Sequence, residues 1–232
     1  MLTQFASGNY RALTSAGHPF SDGIVADPQY DLVRAVFSTP RPLYEGLEAA
    51  RRHVEAAGRP ATALAGFELR IPEALTPEAF AAFNGPYVKG MTELGLSTGE
   101  GLVATRTNVA PTVAGITEPS LLAFTYTVPG RNARGIAWRL SGATETRSEG
   151  TTAERLASIV DVLDERLGAL GATWDEARAI TVYGAECELD AGTLARFGRG
   201  GLRGVRWCPS LPPIVGVGFE IDAHSAGMEE DV

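Results

Sequence analysis

Apolar positions along the chain switch between two spacings, and the switch predicts alternating helices and strands. Leu43, Leu47, Ala50, Val54 and Ala57 recur at intervals of four and three, which sets them on one face of a helix over 43–57. Gly58 follows where a helix-ending glycine belongs. The run 62–71 reads as a buried strand. Thr76-Pro77-Glu78 supplies the capping residue and first-turn proline of a second helix, with Gly85-Pro86 expected to break or kink it. Strands near 102–109 and 121–128 close this half. Residues 1–30 have weak periodicity and scattered Gly, Pro, Asn and Asp, and read as an irregular lead-in.

The order then recurs. A strand over 136–141 ends in Ser141-Gly142. Leu156, Ile159, Val160, Leu163, Leu167 and Leu170 form the strongest helical stripe in the chain, over 152–170, and Gly171 ends it. A strand at 178–187, a short helical segment at 190–197 and strands at 203–208 and 214–221 follow. Both halves read helix, glycine, strand, helix, strand, strand, with Arg106 and Arg206 in matching strands. The expectation is an α+β chain of two tandem units, residues 1–130 and 131–232. Each would be a mixed sheet with helices packed on one face.

Composition narrows the function. The 232 residues carry 28 acidic and 20 basic side chains, a net charge of −8, and Lys89 is the one lysine. A phosphate-tracking surface needs clustered cations, so nucleic acid is disfavoured as a ligand. Cys187 and Cys208 build no disulfide framework. His18, His53 and His224 lie far apart without metal-ligand spacing, so no metal is expected unless they converge across the fold. No apolar run approaches a membrane span, which points to the cytoplasm.

Candidate chemistry lies in the second half. Arg206 can hold a carboxylate through two parallel hydrogen bonds. Glu220 interrupts the apolar run 214–221, and period-two alternation pairs it with Gly216 and Gly218, leaving room for water or ligand. Cys208 lies two residues from Arg206 and shares its strand face. Ser141-Gly142 allows the backbone to approach a ligand.

Ser141-Gly142, Leu170-Gly171, Trp174-Asp175, Ile180-Thr181-Val182-Tyr183, Val205-Arg206-Trp207-Cys208, Leu211-Pro212 and Phe219-Glu220-Ile221-Asp222-Ala223 occur in an order that resembles the RidA (YjgF-type) family of enamine and imine deaminases. The first half looks like a diverged copy, with Arg106 in place of Arg206 and no carboxylate in Leu121-Leu122-Ala123-Phe124. The resemblance implies a chorismate-mutase-like fold for each unit, a homo-oligomer, a trimer by preference, and no cofactor. It also implies hydrolytic deamination of a small carboxylate-bearing imine or enamine, such as a 2-imino acid or an aminomuconate. Arg206 and Glu220 would be catalytic, with Arg206, Ser141, Gly142 and Cys208 binding substrate. The alternatives are a non-catalytic carboxylate binder of the same fold and a chorismatase-like hydrolase.

Overall fold

A computed structural model describes residues 1–15, 18–113, 115–130, 135–146, 149–186 and 189–232. Cys187, the expected linker residues Arg131 and Asn132, and so the junction of the two expected units, lie outside these.

The strands are β1 (Leu2–Phe5), β2 (Tyr10–Leu13), β3 (Gly23–Ala26), β4 (Tyr30–Pro42), β5 (Leu64–Arg70), β6 (Ser97–Thr98), β7 (Gly101–Leu102), β8 (Thr105–Pro111), β9 (Ser120–Pro129), β10 (Trp138–Thr144), β11 (Ala179–Gly184), β12 (Arg206–Leu211), β13 (Phe219–His224) and β14 (Met228–Asp231). The helices are α1 (Leu43–Ala56), α2 (Pro77–Glu93), α3 (Thr152–Leu170), α4 (Ala191–Arg196) and α5 (Gly198–Gly201). Among the described residues, twelve strands hydrogen-bond into one mixed sheet, in the order β1-β2-β3-β10-β13-β11-β12-β8-β5-β9-β4-β14.

This sheet corrects the expectation of two tandem RidA-like units. The run β8-β5-β9-β4 and the run β12-β11-β13-β10 do share one connectivity. Their inner strands nevertheless pair antiparallel with each other, Leu211 opposite Ala110 and Ser210 opposite Pro111. An unpaired strand edge is a liability, and here each run closes the other's edge, so the runs are halves of a single sheet. The lead-in is also corrected. Residues 2–26 contribute β1, β2 and β3, and β3 pairs with β10. The thirteen-residue β4, which buries Val33, Ala35 and Phe37 on alternate positions, was not expected from the sequence either.

The helices follow local chemistry closely. In α1, Leu43, Leu47, Ala50 and Val54 are buried, and Gly58 adopts φ 75° just past its end. In α3, Thr151 and Glu154 form a reciprocal capping box, and Gly171 closes the helix at φ 70°. In α2, Thr76 caps and Pro77 opens the first turn, but the helix runs through Pro86 without breaking. Tyr87, Gly90 and Met91 are buried on this helix, and a side chain at Gly90 would collide with Leu47 of α1. Tertiary packing thus holds the turn that Pro86 weakens.

Two hydrophobic clusters lie beneath the helices, one centred on Phe67, Phe124 and Tyr87, the other on Trp138, Leu163 and Ile221. Between the sheet halves the interior is polar. Arg139 of β10, 1% exposed, donates to Glu68 at 3.1 Å and to Thr125 at 3.2 Å, and stands 3.6 Å from Asp222. Arg34 binds both Glu68 oxygens at 2.7 and 2.8 Å, while Thr107 donates to Asp222 at 2.6 Å. Burial works to raise Glu68, but Arg34, Arg139 and Arg70 outweigh it and hold the carboxyl well below its ordinary value. A buried charge is tolerable only when paired in this way.

Candidate active site

A cavity of about 300 Å³ opens between the sheet halves, lined by Arg106 and Asn108 of β8, Gly142 of β10, Arg166 of α3 and Glu220 of β13. Its apolar walls include Phe20, Phe80, Val162 and Ile214. The volume sits at the small end of ligand pockets. Ile214 belongs to a loop tied to the start of α2, where Leu75 N–H donates to the Pro213 carbonyl at 2.8 Å and Val215 N–H donates to Leu75 at 2.9 Å.

Ser141 sets the position of Arg106. Its hydroxyl accepts the Arg106 backbone N–H at 2.8 Å and donates to the Ser21 carbonyl at 2.5 Å. The Arg106 guanidinium is buried, donates to Asn84 of α2 at 2.7 Å, and is enclosed by the rings of Phe20 (4.6 Å), Tyr87 (4.7 Å) and Phe80 (5.4 Å). Burial lowers its pKa, and Tyr87 and Glu220 oppose that shift. Cation–π contacts help to keep the cation in place where no carboxylate pairs with it among the described residues. Arg166 is held by Asp22 at 2.8 Å and donates to the Ser141 carbonyl at 3.3 Å.

Glu220 lies opposite Thr144 and Tyr183 in register and is buried. Removal from water, then the neighbouring Asp222, push its carboxyl up to about 8, against the Asn108 backbone N–H, Arg106 and Arg70. It therefore holds a proton at neutral pH. The glycine that makes room for it is Gly142, at an irregularity in β10 between Leu140 and Ala143, where a Cβ would overlap the Glu220 carboxylate. The expected neighbours Gly216 and Gly218 precede β13, so strand alternation does not apply to them. Gly216 lies in a turn at φ 90°, and a side chain at Gly218 would meet Arg155. Asn108 presents a buried carboxamide whose nitrogen and oxygen have no hydrogen-bond partner among the described residues. Such groups call for an explanation, and a ligand supplies one.

Of the residues expected from sequence, the structure brings Ser141, Gly142 and Glu220 together and sets Arg206 and Cys208 apart. Arg206 is exposed, and with Cys208 it lines a second cavity of about 210 Å³ together with Arg70, Asp222 and His224. The guanidinium beside Glu220 is Arg106, the counterpart in the other half of the sheet. Asn84, Asn108 and Arg166 were also missed. The signal for Arg106 was present in its match to Arg206. For Arg166 the signal was a cation four residues from Val162, beside the α3 stripe.

Comparisons with known proteins agree with a deaminase and correct the family. The chain is 32% identical over 245 residues to the 2-amino-5-chloromuconate deaminase of Comamonas testosteroni, covering 97% of this chain and 96% of that protein. A crystallised chorismatase superposes over 92% of this chain and 79% of its own with a TM-score of 0.51 at 11% identity, a likeness of fold alone. The family described as 2-aminomuconate deaminase CnbZ matches residues 2–230, which replaces the RidA assignment. The motifs behind the RidA resemblance are short and were read over the second half alone, whereas the family match spans nearly the whole chain. The chain belongs to the CnbZ family and is an enzyme acting on a C–N bond, a hydrolytic deaminase.

Proposed function

We propose that the enzyme hydrolyses the enamine of a 2-aminomuconate, with the reaction carried out in the cavity between Arg106 and Glu220. One observation carries the reading. Two guanidiniums, a carboxamide without a partner among the described residues, and a neutral glutamic acid line a single cavity of about 300 Å³. A muconate is a diacid, and Arg106 and Arg166 offer a cation for each carboxylate.

Glu220 enters the reaction protonated. It gives its proton to the enamine carbon, and the enamine becomes an iminium. The resulting carboxylate takes a proton from water as the water oxygen bonds to the carbon bearing nitrogen. That proton passes to the amine, the C–N bond breaks with its electrons leaving on ammonia, and the hydroxyl proton returns to Glu220. The products are a keto acid and ammonia, and the catalyst is regenerated. An acid with a pKa near the working pH suits both directions of transfer.

Ammonia release from freshly prepared 2-aminomuconate tests this. The wild type is expected to accelerate it, and Glu220→Gln to lose about 10²–10⁴-fold in kcat, the usual contribution of a positioned acid–base group. Equal rates with and without enzyme, or an unchanged kcat in Glu220→Gln, overturn the proposal.

A further inference from the structure

Arg206 and Cys208, singled out in the sequence and unused by the deaminase cavity, lie on the second cavity, which shares no lining residue with the first among the described residues. Its inner wall is Arg70 of β5. That guanidinium is buried, and its one hydrogen bond among the described residues runs to the carbonyl of its own neighbour Leu69, at 2.9 Å. The nearest acid, Glu68, stands 4.0 Å away and is already held by Arg34 and Arg139. Tyr183 lies beneath Arg70, 5.6 Å from ring centre to guanidinium. Arg206, at the exposed rim, has no carboxylate partner among the described residues.

Among the described residues, the charges around this cavity do not balance. Arg34, Arg70, Arg139 and Arg206 face Glu68, Asp222 and Glu229, the last of which pairs with Arg34 from the solvent side. Thr107 and Tyr183 both donate to Asp222, so that carboxylate is committed as well. His224 on the wall is kept neutral, pushed down to about 3 first by burial and then by Arg139 and Arg34. Its Nδ1 accepts the Ala226 N–H at 3.2 Å, which leaves its hydrogen on Nε2. An unpaired guanidinium in a low-dielectric recess is costly unless an anion meets it.

We infer that this second cavity binds a small oxyanion, of carboxylate or phosphate size, between the buried Arg70 and the rim Arg206, as a site separate from the deaminase cavity. Cys208 shares the cavity and is the reporter, since a bound anion shields its thiol. The experiment is alkylation of the full chain by iodoacetamide, followed peptide by peptide so that Cys208 and Cys187 are read separately. Succinate is the carboxylate probe and inorganic phosphate the other. At an anion concentration about ten times its Kd, labelling of Cys208 should slow about tenfold, because only the unoccupied fraction reacts.

Arg206 is exposed, so Arg206→Ala keeps the fold, and in that variant the ratio of rates with and without anion should fall to one. Protection by succinate alone assigns a carboxylate ligand, and protection by phosphate alone assigns a phosphate-bearing one. No slowing with either anion, or slowing that survives Arg206→Ala, overturns the inference. The readout needs no turnover, so it stands or falls apart from the deaminase reading.

Discussion

Replacing Glu220 with Gln should stabilise the protein while slowing catalysis, and the gain should grow with pH. The unfolded chain releases the Glu220 proton near the ordinary value of 4.5, whereas the folded protein keeps it to about 8. Between those values the native state holds the extra proton, so stability falls as pH rises by about 1.4 kcal/mol per pH unit. The contribution is fully present below pH 4.5 and is lost as pH climbs to 8. At pH 7 the wild type therefore bears a deficit of about 3 kcal/mol that the neutral glutamine escapes.

For a chain of this size that corresponds to roughly 6–12 °C in Tm. Thermal melts of both proteins at pH 4.5, 6, 7 and 8.5 measure it. The two should coincide at the acid end, diverge through neutrality and run parallel above pH 8. A constant offset across pH, or a wild type that gains on the variant as pH rises, would refute the account of Glu220 as an acid held neutral by burial.

Two further substitutions probe the architecture. Gly142→Ala places a methyl group on the Glu220 carboxylate and should cut kcat by at least about tenfold, because displacing one acid–base group forfeits part of its 10²–10⁴-fold contribution. A steady-state assay returning wild-type kcat would show that the carboxyl needs no such space. Arg139→Met strips the central cation from Glu68 and Asp222 and should cost about 3–5 kcal/mol, read from urea denaturation, since an acid left buried without its partner is strongly destabilising. A loss below about 1 kcal/mol, the worth of an exposed pair, would refute that role.

Elements whose signal is local were legible in the sequence. The α1 and α3 stripes, the Thr76-Pro77 start and Gly171 each report on a few consecutive residues. Glu220 was legible because an acid inside an apolar strand needs a reason. The strands β1, β2 and β3, four residues each, are too short to display a period against polar neighbours, and only pairing with one another and with β10 defines them. The choice of arginine was not legible. Arg106 and Arg206 occupy matching strands, and which of them meets Glu220 depends on how the sheet halves join at Ser210 and Leu211. Tertiary packing likewise decided the fate of Pro86.

The Ser141 hydroxyl has a consequence for the order of folding. It joins Arg106, 35 positions away, to Ser21, 120 positions away. Closing the longer span costs only about 1 kcal/mol more than closing the shorter, because loop entropy grows with the logarithm of length. The penalty is paid in time. Contacts so distant along the chain form slowly, so helices and local strand pairs can be in place while the cavity is still open. Competence to deaminate then waits on these distant contacts, as does the pairing of β3 with β10.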